Sequence, residues 1–196
     1  MIELTNQLKY TRVNSDGIYH ADIEASLRYS VRFDIYNDKN SIATLLTDNK
    51  KSFTRTKDNI HLSMKSKWNW RNKWNYFIFR DSDSHLATIY IHRPIIFGWF
   101  RPSIYTITFE RTKTTYKVAT PTWENWKYKN AAFCYDFALD GEIKCRVVNL
   151  KRPKGLYNPA TATQEGLIEY GDDINLEQIL CFLQLLNINI DLEFDI

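Results

Sequence analysis

The segment "DDINLEQILCFLQLLNINI", Asp172 to Ile190, decides how this chain folds. Asn175 stands where an N-cap belongs, and Gln178 follows three residues later, the spacing at which its side chain reaches back to the cap's backbone. Beyond that start, Leu176, Ile179, Leu180, Cys181, Phe182, Leu183, Leu185, Leu186 and Ile188 leave no polar stripe along the helix. A surface helix keeps one polar face, so an apolar surface nearly all round means burial on most sides. Gln184 and Asn187 interrupt the run, which is also shorter than the ~20 apolar residues that span a bilayer. The helix is therefore expected inside a protein core.

What precedes the helix alternates with the period of β-strands. In "LRYSVRFDIY", Leu27, Tyr29, Val31, Phe33 and Ile35 share one face, while Arg28, Ser30, Arg32 and Asp34 share the other. "NDKN" breaks the pattern and "SIATLL" resumes it, as in a hairpin. The same layout recurs: "IYNDKNSIATLL" from Ile35 and "IFRDSDSHLATIY" from Ile78 match apart from one inserted residue. "SIYTITF" and "TTYKVAT" form the next hairpin across "ERTKT". In "AAFCYDFALDGEIKCRVV", Phe133, Tyr135 and Phe137 oppose Ile143, Cys145 and Val147 when the loop is the odd-numbered Leu139, Asp140 and Gly141, with Gly141 left-handed. Cys134 then faces away from Cys145.

"MKSKWNWRNKWNYFIFR", Met64 to Arg80, concentrates tryptophans among cations. Ile60, Leu62, Met64, Trp68, Trp70, Trp74, Tyr76 and Ile78 are even-numbered; His61, Lys65, Lys67, Asn69, Arg71, Lys73 and Asn75 are odd. A turn near Arg71 to Lys73 is expected to fold this run back and pair Trp70 with Trp74. Aromatic rings that stack on bases would share a face with the cations that hold phosphates, so these tryptophans are expected in the core.

At 196 residues, 44% of them hydrophobic and 15% aromatic, the chain is long enough to bury a core as one domain. Its cysteines, Cys134, Cys145 and Cys181, are odd in number and lack metal spacing, which fits small buried hydrophobes in a reducing compartment. His20, His61, His85 and His92 are scattered. With no phosphate-cradling glycine loop and no nucleophile elbow, neither an enzyme nor a metal or cofactor site is expected. The N-terminus lacks the pattern of a signal peptide, so a cytoplasmic protein is expected, peripheral to a membrane if it meets one. Charge is uneven: from Lys50 to Arg80 nine cations stand against Asp58 alone, and after Lys154 eight carboxylates occur with no lysine or arginine. Such halves either complement each other or present a basic face to an anionic partner.

Successive hairpins such as "YFIFRDSDSHLATIYI", followed by the helix "LEQILCFLQLLNI", resemble the tubby-like β-barrel superfamily, which includes the tubby C-terminal domain, phospholipid scramblases and LURP-one-related proteins. The resemblance covers roughly Ser26 to Ile190. It implies a terminal helix threaded through the barrel and a non-enzymatic binding or scaffold role. The chain lacks a scramblase-like cysteine cluster, and its acidic C-terminus departs from a scramblase. The expected architecture is mainly β with one C-terminal helix: an antiparallel β-barrel of successive hairpins enclosing the buried helix, with residues 1–196 as one domain and residues 1–25 beyond the resemblance.

Lys65, Lys67, Arg71 and Lys73 are the candidates for contact with an anionic phospholipid surface or a protein partner. "RPIIFGWFRPS", Arg93 to Ser103, is greasier than a solvated loop and either plugs a barrel end or offers Phe97, Trp99 and Phe100 to a partner or membrane. Two further readings are a nucleic-acid binder using Lys50 to Arg80, which the tryptophan parity opposes, and a barrel with an internal small-molecule pocket, which a helix in the lumen opposes.

Overall fold

The structure, a computed structural model, describes residues 4–18, 29–47, 52–56, 62–69, 73–81, 83–92, 104–119, 134–149 and 163–193. Twelve strands precede one helix: β1 (Asn6–Ile18), β2 (Tyr29–Asn37), β3 (Asn40–Thr47), β4 (Ser52–Thr56), β5 (Leu62–Asn69), β6 (Lys73–Arg80), β7 (Ser84–His92), β8 (Ile104–Phe109), β9 (Thr114–Ala119), β10 (Cys134–Leu139), β11 (Glu142–Asn149), β12 (Thr163–Tyr170) and α1 (Leu176–Glu193). They form one antiparallel sheet in the order β4-β3-β2-β1-β12-β11-β10-β9-β8-β7-β6-β5. β1 lies between β2 and β12, so the N-terminal segment that the resemblance left out occupies the middle of the sheet. No described helix is long and apolar enough to cross a membrane.

The alternation in the sequence decides which face is buried. Phe33 and Ile35 on β2, Tyr105, Ile107 and Phe109 on β8, and Tyr135 and Phe137 on β10 all face the core. One hydrophobic cluster joins buried residues of every strand except β4 to the helix, and β4 adds the buried Thr54. From Ile179 to Leu186 every helical residue is buried, Gln184 included. The Phe182 ring stacks on Phe137 at 4.2 Å and meets Tyr116 and Phe109 edge-on at 5.2 and 6.0 Å. The Gln184 amide reaches Met64 Sδ at 3.1 Å. The helix thus touches strands far apart in the sheet order.

Three hairpins share one device. Between β2 and β3, Ile35 pairs with Ala43 but Tyr36 with Ser41, leaving Ile42 extra. Between β6 and β7 the extra residue is Leu86, and between β10 and β11 it is Lys144. Each bulge precedes a small buried residue, Ala43, Ala87 or Cys145, and each turn opens with a left-handed aspartate, Asp38, Asp81 or Asp140. Asp tolerates that conformation because its short side chain bonds locally. The repeated "Asp…Ala-Thr" wording is therefore a turn-and-bulge signal. The inserted residue lies in the turn, since Asn37 pairs with Asn40 but Arg80 pairs with Ser84.

Two register expectations need correction. Leu139 belongs to β10 and pairs with Glu142, so the loop is the two-residue Asp140–Gly141 with φ of 51° and 86°. Both positive values match the twist a tight hairpin requires, and the bulge at Lys144, not an odd loop, restores the parity that places Phe137 opposite Cys145. In the β5–β6 hairpin, Trp74 pairs with Trp68, not Trp70, and Lys73 pairs with Asn69 inside the ladder. Trp68 and Trp74 share the parity of the buried pair Met64 and Ile78, while Trp70 lies outside the described residues.

Candidate functional site

Across β5, β6 and β7 the outward register positions make three short rows. Ser63 pairs with Phe79 and Phe79 with His85; Lys65 pairs with Phe77 and Phe77 with Thr88; Lys67 pairs with Asn75 and Asn75 with Tyr90. The two lysines and His85 are exposed, and Phe77, Phe79 and Tyr90 are partly exposed. Lys65 Nζ lies 5.0 Å from the centre of the Phe79 ring, and the His85 ring packs against Phe77 at 5.6 Å and Phe79 at 5.3 Å. The nine positions include no acidic residue. Glu110 borders them: Thr88 Oγ1 donates to it at 3.1 Å and Lys113 Nζ at 2.7 Å. The hydrogen bond from Lys113, with Thr88 adding, holds the Glu110 carboxyl below its ordinary range.

The sequence candidates divide accordingly. Lys65 and Lys67 lie together on this face, and among the described residues neither has a carboxylate within ion-pair distance. Lys73 begins β6, paired with Asn69 and His92. Arg71 lies outside the described residues, as do Phe97, Trp99 and Phe100. Phe77, Phe79 and Tyr90 were missed, although Phe77 and Phe79 carry the same odd parity as the lysines.

Among the described residues, no carboxylate of the acidic C-terminal stretch lies within ion-pair distance of these lysines. Glu165 and Glu169 belong to β12, with six strands between it and β5 in the sheet order. Asp173 lies 3.7 Å from Lys144, whose buried side chain also reaches Glu142 at 3.2 Å. Glu177 faces Arg80 at 3.4 Å, one contact between the acidic and basic regions among the described residues.

Neither of the two described thiols is set up for nucleophilic chemistry. Burial pushes the thiols of Cys145 and Cys181 up, with Asp136 and Glu177 respectively adding to the shift, so both remain protonated and inert. No group of three or more metal-ligating side chains occurs among the described residues. Arg12, which the sequence did not single out, is buried with its guanidinium 5.8 Å from the Phe33 ring centre. No family model, curated protein or solved structure matches the chain.

Proposed function

We propose that this chain is a non-enzymatic binding module: a tubby-like β-barrel closed around its C-terminal helix, presenting an anion-binding face on the outside of β5 and β6. Dimensions support closure. Strands lie about 4.8 Å apart, so twelve laid flat span roughly 50 Å, far more than a helix about 10 Å across can touch. The single core cluster containing both the helix and eleven of the strands supports a sheet wrapped round that helix. A lumen filled by Phe182, Leu183 and Leu186 leaves function to the outer surface.

The observation that carries the functional reading is the exposure of Lys65 and Lys67 on a face whose three rows hold no carboxylate. Neighbouring like charges without counter-charges raise the local potential and attract anions, an effect that salt screens over ~10 Å at 0.1 M. Chromatography on heparin resin tests this without assuming the partner's class. The wild-type chain should be retained at low salt, and Lys65→Glu/Lys67→Glu should pass through with an unchanged thermal melt. Equal elution of the two proteins would discard this face as the anion site.

A further inference from the structure

We propose that the outward face of β5–β7 is a platform for single-stranded nucleic acid, an inference that rests on the anion-binding reading above and names the class of its ligand. The requirement that stacking aromatics share a face with phosphate-holding cations is one that the tryptophans fail by parity. Phe77 and Phe79 meet it. They sit two residues apart on β6, so their rings follow the strand at a pitch of about 6.8 Å. Lys65, directly across from Phe77, and Lys67, across from Asn75, follow β5 at the same pitch, one row out of step with the two rings. On β7, His85 packs against both rings and Tyr90 lies across from Asn75, whose amide supplies hydrogen-bonding groups within the rows.

This arrangement suits bases laid on rings with a phosphate chain along the lysines. Stacking on an aromatic side chain tolerates any base, and the cations track the backbone without reading sequence. A duplex hides its base faces and offers only phosphates, so it should bind more weakly. A membrane surface is the less suitable partner, because Phe77 and Phe79 are only partly exposed on a sheet face, whereas insertion needs apolar groups that project beyond the lysines.

The test is fluorescence anisotropy of the full chain with a labelled single-stranded oligothymidylate, beside a duplex of equal length and vesicles containing phosphatidylserine. Single strand should bind best. Phe77→Ala and Phe79→Ala should each weaken it roughly tenfold to a hundredfold, as expected for loss of one stacked base. Phe79→Tyr, which keeps the ring, should bind like the wild type. Lys65→Glu/Lys67→Glu should make the slope of log affinity against log salt shallower by roughly 1.4, at ~0.7 per single-strand phosphate contact. Circular dichroism and thermal melts of each variant separate lost binding from lost fold. Retention on heparin that depends on the lysines, with no oligonucleotide binding, would overturn the nucleic-acid inference and leave the anion face standing. Oligonucleotide binding insensitive to both phenylalanines would also overturn it, as would stronger binding to vesicles. Binding to none of heparin, oligonucleotide or vesicle would remove both readings.

Discussion

Tyr10 on β1 lies across Gly166 on β12, its direct cross-strand partner, and a Cβ at that glycine would collide with the Tyr10 ring. An aromatic ring can cover a strand glycine in this way, replacing the missing side chain. Gly166→Ala should therefore cost about 1–3 kcal/mol through overpacking, measured by urea denaturation. Gly141 behaves differently: nothing lies near its missing Cβ, and only its left-handed backbone opposes a side chain. The buried thiols give a pH prediction. Cys145 and Cys181 keep their protons in the folded state, while in the unfolded chain they ionise near pH 8.5. Stability should thus be fully present below about pH 8.5 and decline above it, by up to about 1.4 kcal/mol per pH unit for each thiol. Denaturant midpoints between pH 7 and 10 would show this, and the decline should flatten in Cys145→Ala/Cys181→Ala. The thiols were legible in the sequence as small buried hydrophobes. Arg12 was not, because nothing in "KYTRVN" distinguishes an inward arginine from a solvated one.

The helix cap is the element whose reading from sequence was most complete. Gln178 N–H donates to Asn175 Oδ1 at 2.9 Å, and Asn175 N–H donates to Gln178 Oε1 at 3.0 Å, the reciprocal pair that the spacing predicts. Asn175→Ala should cost about 1 kcal/mol of global stability, seen as a lower denaturant midpoint with an unchanged m-value. The hairpins were legible as hairpins because turn residues and alternation are local. Their registers were less so. A bulge adds a residue to one strand without changing which side chains look apolar, so parity allowed both an odd loop and an even loop with a bulge. The pairing of Trp68 with Trp74 likewise depends on where a three-residue connection falls, and the evenly spaced tryptophans did not separate the two placements. Lys144 shows what the bulge achieves: it is buried between Glu142 and Asp173, and its carbonyl accepts the Gly171 N–H at 3.1 Å, tying the β10–β11 hairpin to the approach of α1.

For the whole molecule, the shared core predicts one cooperative unit. Leu183 is fully buried, and Leu183→Asp would place an unpaired charge among apolar side chains at a cost of several kcal/mol, against a total stability of about 5–15. That variant should lack a cooperative melt, followed by near- and far-ultraviolet circular dichroism; a soluble variant melting like the wild type would show that the helix does not hold the core together. The sequence by itself determined the class of structure. Periods of 2 and 3.6 are local properties, and an apolar helix without a polar face has to be surrounded by something. Only the tertiary structure decided the order of the strands, with β1 between β2 and β12, because pairing across the sheet depends on contacts far apart in the chain. It also decided that the outward residues of β6 stand between Lys65 and Lys67 on one side and His85 and Tyr90 on the other. A single strand's alternation can say that Phe77 faces outward, but its neighbours on that face belong to other strands, and ladder register alone brings them together.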